Sequence, residues 1–120
     1  MIARRVLLVE DSVLITSALR VLLESNGWDT WVSPTLTDAI GAVSDFRPDV
    51  ILVDLTLPDG DGLDILSALS SETPPPKVFV MTGHDDDATR DRCLSAGCDA
   101  VLIKPVPTRD LVELIAGAMA

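Results

Sequence analysis

The sequence is poor in basic residues and in cysteine, and both shortages exclude classes of protein. Nine lysines and arginines stand against 19 acidic residues, for a net charge of −10. That balance argues against direct nucleic-acid binding, which needs a basic patch. The cysteines, Cys93 and Cys98, have no histidine or cysteine neighbours at the spacing of a zinc site, so we predict structural thiols. Reduced thiols are typical of a cytoplasmic protein, which is the location we expect.

The chain also lacks long apolar runs, internal repeats and an extended disordered tail. No run approaches the ~20 apolar residues that cross a membrane, so we expect no membrane contact. After residues 1–5 only four apolar residues precede an acid, which is too few for a signal peptide. A length of 120 residues with 48% hydrophobic content predicts one domain over residues 1–120.

The most informative pattern is a short apolar run that ends in an acid. Val-Ile-Leu-Val at residues 50–53 leads directly into Asp54, and Pro58, Gly60 and Gly62 then break the chain. Such a run is typical of a strand that is buried on both faces. Three other runs repeat the pattern: residues 6–9 precede Glu10-Asp11, residues 78–81 precede Thr82-Gly83, and residues 100–103 precede Lys104-Pro105.

Predicted helices separate these runs, and the alternation indicates an α/β protein with parallel strands joined by crossover helices. Open α/β sheets bind ligands at the edge where the carboxyl ends of the strands meet. Glu10, Asp11, Asp54, Thr82 and Lys104 should therefore lie together at that edge. Three acids, a hydroxyl and a lysine predict a site for a metal ion and a phosphoryl group. Carboxylates this close should also raise one another's pKa.

Capping residues and apolar spacing define the predicted helices. Ser12 should cap the first helix, acids 85–87 belong to the first turn of the fourth, and Gly97 should end it. A short third helix is predicted over residues 63–69, and the last helix over Thr108–Ala118. The apolar faces expected to be buried are Leu14, Ala18, Val21 and Leu22 in the first helix, Leu36, Ile40 and Val43 in the second, and Leu111, Leu114 and Ile115 in the last.

Two further segments have two interpretations each. Residues 28–32 form a shorter and more polar strand, which predicts an edge of the sheet. Its Trp28 and Trp31 should pack over that edge, with a partner surface as the alternative. Residues 73–76, Thr-Pro-Pro-Pro, predict a stiff connector before the fourth strand, with a proline-rich partner motif as the alternative.

The order and spacing of the strand-end residues make the chain similar to the receiver domain of two-component response regulators, over nearly its whole length. The matching residues are Glu10-Asp11, Asp54, Pro58, Gly62, Thr82-Gly83 and Lys104-Pro105. The resemblance implies a doubly wound, flavodoxin-like (βα)5 fold with a five-stranded parallel sheet of order 2-1-3-4-5. It also implies a phosphorylatable signalling switch of a phosphorelay, with slow autodephosphorylation, and not a turnover enzyme.

The resemblance assigns roles to the acidic residues. Asp54 would accept a phosphoryl group from a histidine kinase or a histidine phosphotransfer protein. The cofactor would be Mg²⁺, a cation that prefers oxygen ligands. Its direct ligands would be Asp11, Asp54 and the carbonyl of Thr56, and Glu10 would act through a water molecule.

The resemblance also assigns the switch residues. Thr82, Gly83 and Lys104 would contact the transferred group, and Lys104-Pro105 would be a cis peptide. His84, two residues beyond Thr82, should tune hydrolysis of the acyl phosphate. The family usually has Tyr or Phe three residues before the lysine, where this chain has Val101. Valine is stiff at χ1 and has no ring to move, so we expect weak coupling to helix four, strand five and helix five.

The resemblance also implies partners, which would bind at the face formed by helix four, strand five and helix five. A downstream protein or a covalently linked output domain would respond to phosphorylation, and no output domain is expected within residues 1–120. Both a free-standing receiver and a fragment of a larger regulator or hybrid kinase fit the sequence. A homodimer through helix four, strand five and helix five is a further arrangement that the resemblance allows.

Three rival functions are weaker. A Mg²⁺-dependent phosphohydrolase with an aspartate nucleophile would need a second acid where Thr56 stands. A flavin-binding domain would need a Ser/Thr/Gly-rich loop after the first strand, where residues 13–15 are Val-Leu-Ile. A pseudo-receiver that acts only as a binding module should lack phosphorylation residues, and all of them are present here.

Overall fold

The computed structural model describes residues 4–72 and 74–118, which form a five-stranded parallel sheet with helices on both faces. The strands are β1 (Arg4–Val9), β2 (Trp28–Ser33), β3 (Val50–Asp54), β4 (Lys77–Thr82) and β5 (Ala100–Ile103). Their order across the sheet is β2-β1-β3-β4-β5. This confirms the predicted α/β fold and its strand order.

The helices lie between the strands as the alternation predicted. They are α1 (Val13–Ser25), α2 (Leu36–Phe46), α3 (Ile65–Ala68), α4 (Asp87–Ala96) and α5 (Thr108–Ala118). The predicted third helix is split, because a 3₁₀ turn over Gly62–Asp64 precedes α3. Ser12 caps α1 by accepting from the Ile15 N–H, and Asp86 caps α4 by accepting from the Thr89 N–H. Among the described residues no helix has the length and apolarity to cross a bilayer.

One feature of the fold was not predicted. Residues Thr56–Leu57 and Gly60–Asp61 pair as a small antiparallel hairpin, called here the β3–α3 hairpin. Leu57 is buried and anchors the hairpin in the core. The predicted connector over residues 73–76 is seen only from Pro74 onward, because Thr73 lies outside the described residues.

The core has two layers, one on each face of the sheet, because neighbouring residues of a strand point to opposite faces. Leu7 and Ile51 contribute to the layer under α2, α3 and α4. Leu8 and Leu52 contribute to the layer under α1 and α5, which includes Leu111 and Ile115 as predicted. The apolar parts of β1, β3 and β4 are buried, as expected for strands covered on both faces.

The predicted apolar faces of α1 and α2 are partly wrong. Leu14 is 82% exposed, Val21 is 72% exposed and Ala18 is exposed as well, whereas Leu23 is fully buried. In α2, Ile40 is 42% exposed, and the helix buries Ala39 and Phe46 beside the predicted Leu36 and Val43. Both helices carry apolar residues around more than one side, so helical spacing fits several faces, and the sheet selects one of them.

The two edges of the sheet differ from the central strands. β2 is an edge strand as predicted; Trp28 is buried, and the half-exposed Trp31 lies with its ring centroid 5.4 Å from that of Phe46. Both rings therefore pack at the edge as predicted, although Trp31 keeps 42% of its surface exposed. β5 is the opposite edge and is only half-buried throughout, so the prediction of burial on both faces is wrong there.

The two cysteines are buried and free, which confirms structural thiols. They flank the end of α4, where Gly97 has a φ of 111° and the Cys98 N–H donates to the Cys93 carbonyl at 3.2 Å. This is the Schellman arrangement, in which the two flanking side chains make an apolar contact. Burial raises the pKa of the Cys98 thiol to about 12, so the thiolate is disfavoured.

Gly62 is required by the close approach of the chain to the end of β3. A Cβ at this position would overlap the carbonyl oxygen and carbon of Asp54. The Gly62 N–H also donates to the Leu55 carbonyl at 2.8 Å, which closes the base of the β3–α3 hairpin. No side chain can be accommodated there unless the backbone around Asp54 moves.

We predict that Gly62→Ala destabilises the protein by about 3 kcal/mol, the upper range for overpacking. Gly41→Ala is the matched control, because Gly41 lies within α2 and a Cβ there would meet nothing within 4 Å. The control should stabilise by about 0.5–1 kcal/mol through helix propensity. Urea unfolding of both variants measures the two changes in stability. Equal changes would show that a Cβ at position 62 does not overlap Asp54.

Candidate functional site

The strand-end acids meet at one edge of the sheet. β1 and β3 pair in parallel with Val9 opposite Val53, so the next residues, Glu10 and Asp54, lie side by side. One carboxylate oxygen from each of Glu10, Asp11 and Asp54 lies within 4.8 Å of the others. Glu10 is 2% exposed and Asp54 8% exposed, whereas Asp11 faces solvent.

Lys104 closes this cluster with its ammonium group. Its Nζ donates to Glu10 Oε2 at 2.7 Å and to Asp54 Oδ2 at 3.0 Å. Its backbone N–H donates to the Thr82 carbonyl at 2.8 Å, and the following peptide bond to Pro105 is cis. Burial alone would lower the pKa of Lys104, but the hydrogen bonds to Glu10 and Asp54 outweigh it and leave the pKa raised.

Burial, and not mutual repulsion, is the main reason why the pKa of Glu10 is raised. Hydrogen bonds from Lys104 and from the Ser12 N–H oppose that rise, and the charge of Asp54 adds a smaller increase. Asp54 thus raises the pKa of Glu10 as expected, but burial of Glu10 raises it more. Sequence reasoning did not include the burial of Glu10, which only the packed structure shows.

The carboxylate of Asp54 is held at both oxygens. Oδ1 accepts a hydrogen bond from the Thr56 N–H at 3.1 Å, and Oδ2 accepts from Lys104. The chain beyond Asp54 is fixed as well, because the Leu55 N–H donates to the Met81 carbonyl at 2.9 Å. The acid is thus oriented by its own loop and by the end of β5.

The remaining predicted site residues lie around this cluster at different depths. Thr82 is buried at the end of β4, and its hydroxyl accepts from the N–H of His84 at 3.0 Å. Gly83 and His84 are exposed in the following loop. Val101 lies one strand further out, opposite Val80, and packs against the core layer under α4. It is not part of the charged cluster.

The structure also brings in residues that sequence reasoning missed. Asp61 of the β3–α3 hairpin pairs with Arg92 of α4 at 2.8 Å. Together with Thr56, His84 and other residues they line a surface cavity of about 450 Å³. The sequence offered no signal for this pair, because the two residues are 31 positions apart and neither belongs to a motif.

The donor set of the cluster suits a hard divalent cation. Each of Glu10, Asp11 and Asp54 offers a carboxylate oxygen, and oxygen ligands of this kind are preferred by Mg²⁺. The exposed Asp11 leaves one side open to solvent, which suits an ion that keeps several of its waters. The residues present therefore fit a Mg²⁺ site.

The raised pKa of Glu10 predicts a specific pH dependence of stability. A folded pKa above the unfolded value of 4.5 means that Glu10 favours folding below pH 4.5. This contribution is lost as pH rises through the folded value. The stability of the wild type relative to Glu10→Gln should therefore fall as pH increases above 4.5, in urea unfolding with a chelator present.

Glu24→Gln serves as a control of opposite sign. A hydrogen bond from Thr30 is the main cause that lowers the pKa of this exposed residue. Its contribution is present above pH 4.5 and is lost as pH falls through its folded value. The stability of the wild type relative to Glu24→Gln should rise with pH. If the stability relative to Glu10→Gln also rises with pH, or does not change, burial is not the dominant cause of the raised pKa of Glu10.

Comparison with known proteins agrees with this geometry. The family described as response regulator receiver domain matches residues 6–116. The transcriptional regulatory protein TrcR of Mycobacterium tuberculosis is 34% identical over 116 residues, which are 96% of this chain and 45% of TrcR. The DNA-binding response regulator MtrA of Mycolicibacterium paratuberculosis is 32% identical over 93% of this chain and 49% of MtrA. The chain thus spans about half the length of these curated relatives.

A solved structure gives the same result for the fold. The CheY-like response regulator receiver domain protein from Methanospirillum hungatei superposes with a TM-score of 0.89 at 28% identity. The superposition covers 97% of this chain and 93% of that protein. The similarity therefore includes every strand whose end contributes to the charged cluster.

Proposed function

Because the chain belongs to the response regulator receiver domain family, we propose that it is a phosphorylatable switch of a two-component phosphorelay with Asp54 as its phosphoacceptor. The observation that supports this most directly is the contact of Lys104 with both Glu10 and Asp54 at the carboxyl edge of the sheet. Receiver domains are signalling domains that interact with histidine kinases. The donor proposed here is accordingly a histidine kinase or a histidine phosphotransfer protein.

The proposed reaction is an in-line phosphoryl transfer. A carboxylate oxygen of Asp54 bonds to the phosphorus atom while the bond from phosphorus to the donor imidazole nitrogen breaks, and that nitrogen takes the electron pair. The transition state is loose and spreads charge over three oxygens, so positioning and neutralisation supply most of the catalysis. Lys104 and the hydroxyl of Thr82 would stabilise that charge. The contact between the Lys104 ammonium and Asp54 Oδ2 at 3.0 Å supports this role for Lys104.

We propose Mg²⁺ as the cofactor of this transfer. Asp11, Asp54 and the carbonyl of Thr56 would hold the ion directly, and Glu10 would act through a water molecule. The bound ion supplies neutralisation of the charge on the phosphoryl oxygens. The nearness of one carboxylate oxygen from each of Glu10, Asp11 and Asp54, within 4.8 Å of one another, supports this ligand set. Lys104 also holds Glu10 and Asp54 in position.

The product is an acyl phosphate, which hydrolyses spontaneously. We therefore propose a switch whose phosphorylated state has a limited lifetime, and not a turnover enzyme. Its output would be a population shift between two conformations. We further propose that residues 1–120 form one receiver domain in the cytoplasm. It would signal to a separate protein or to a covalently linked output domain. A linked output domain would explain why its relatives are about twice as long.

Phosphorylation by a small donor tests this proposal. Acetyl phosphate with Mg²⁺ should add one phosphoryl group that hydroxylamine removes, and Asp54→Asn should abolish the addition. Intact mass spectrometry measures both. Asp64→Asn is the matched control, because it removes an exposed acid of the same connection and should be modified like the wild type.

Binding of Mg²⁺ is measured in parallel so that a negative result can be interpreted. A ligand that binds only the folded state raises the melting temperature by mass action, so Mg²⁺ should raise the Tm of the wild type. An unchanged mass in a protein whose Tm does respond to Mg²⁺ would refute Asp54 as a phosphoacceptor.

The valine at position 101 leads to a prediction of how strongly phosphorylation changes the conformation of α4, β5 and α5. This residue carries no charge and lies outside the cluster, so phosphoryl transfer should not depend on it. A ligand shifts an equilibrium only by its differential affinity for the two states. With valine in place of a mobile ring, the shift at α4, β5 and α5 should be small.

The measurement is a comparison of amide chemical shifts with and without beryllofluoride, a phosphoryl mimic. Shift changes along α4, β5 and α5 should be smaller in the wild type than in Val101→Tyr, while both proteins bind the mimic equally well. Equal changes in the two proteins would show that Val101 does not weaken the switch.

A further inference from the structure

The β3–α3 hairpin is too small to hold its own shape. Only two residue pairs form it, Thr56 with Asp61 and Leu57 with Gly60. Hairpins with a two-residue turn favour turns in which the first central residue has a positive φ. Here that residue is Pro58, whose ring fixes φ near −65°. A hairpin this short with an unfavourable turn needs support from outside.

Asp59, at the tip of the hairpin, provides that support from α2. Its Oδ1 accepts from the Leu36 N–H at 2.7 Å, and its Oδ2 accepts from the N–H and the hydroxyl of Thr37 at 3.0 and 2.8 Å. A carboxylate is favoured at the first turn of a helix by the helix dipole. Backbone hydrogen bonds from Thr37 and Leu36 are the main causes that lower the pKa of Asp59.

α2 also has a cap of its own, which separates helix capping from attachment of the hairpin. The Thr35 hydroxyl accepts from the Asp38 N–H at 3.1 Å, and the Thr35 carbonyl accepts from the Ala39 N–H at 3.0 Å. A helix start leaves four N–H groups without a partner inside the helix. Asp59 accepts from two of them, those of Leu36 and Thr37, and the Thr35 hydroxyl accepts from a third, that of Asp38. A Cβ on Gly60 would lie 3.0 Å from Leu36, so the hairpin also packs against this turn.

The attachment continues from the tip of the hairpin to the phosphoacceptor. The hairpin pairs Asp61 with Thr56 at its base, and the Thr56 N–H donates to Asp54 Oδ1 at 3.1 Å. We propose that Asp59 is a positioning residue, which docks the hairpin on α2 and thereby holds Thr56 in place for Asp54 and for Mg²⁺. This inference rests on the proposed function, because Thr56 is a ligand only if the site takes Mg²⁺.

The test compares Asp59→Ala and Asp59→Asn with Asp38→Ala. Asp38 is another acid in the first turn of α2, so its removal reports the loss of a favourable charge at the helix start. Two quantities are measured well below the Tm of each variant. One is amide hydrogen exchange at Thr56 and Gly62 in the metal-free protein, and the other is the affinity for Mg²⁺ by chemical-shift titration.

Asp59→Ala should weaken Mg²⁺ binding about tenfold, the lower range for loss of a residue that orients a metal ligand. It should also accelerate exchange at Thr56 and Gly62 while amides of β1 stay protected. Asp59→Asn keeps one carbonyl acceptor and should fall between Asp59→Ala and the wild type. Asp38→Ala should lower the Tm without either change.

Two outcomes would overturn the inference. If Asp59→Ala lowers the Tm as Asp38→Ala does but leaves Mg²⁺ affinity and exchange at Thr56 unchanged, Asp59 is only a helix cap. If the wild type binds no Mg²⁺, the metal part of the proposed function fails. Exchange at Thr56 and Gly62 then decides by itself whether Asp59 holds the hairpin, and unchanged exchange refutes it.

Discussion

The ammonium of Lys104 between Glu10 and Asp54 is the interaction on which the rest of the site depends. Two nearly buried carboxylates side by side would be strongly unfavourable without a cation, because buried charges must be paired. Lys104 lies within 3.0 Å of both, and the three residues lie at the ends of three different strands. These contacts therefore also join the carboxyl ends of β1, β3 and β5.

The parallel sheet supplies the precision of this arrangement. Glu10 and Asp54 are neighbours because β1 and β3 pair in register. Thr82 and Lys104 lie at the ends of the next two strands, which run in the same direction. The charged groups lie at or directly after the ends of paired strands, whereas Gly83 and His84 lie in an exposed loop. Strand pairing thus supports the buried ion pairs, and contacts of Asp59 with α2 support the tip of the β3–α3 hairpin.

β5 and the β3–α3 hairpin both lie beside the charged cluster. β5 is an edge strand and is half-buried throughout. Val101 lies in this strand without a ring that could move between two positions. Asp59 joins the β3–α3 hairpin to α2. The ion pair between Asp61 and Arg92 joins it to α4, and this pair is exposed and therefore of modest strength.

By itself the sequence determined the elements and the chemistry of the strand ends. Short apolar runs, caps such as Ser12 and breakers such as Gly97 act within a few residues, so the strands, most helix ends and the acidic edge were predictable. Strand order came from the resemblance, since periodicity alone does not say which strands are neighbours.

Only the tertiary structure decided which groups meet. It exposed Leu14, Val21 and Ile40, because several faces of each helix were apolar and the sheet could cover only one. It placed Lys104 between two acids, attached Asp59 to α2 and paired Asp61 with Arg92. These contacts join residues 22 to 94 positions apart, and their energies depend on distance and burial, which no local pattern of residues records.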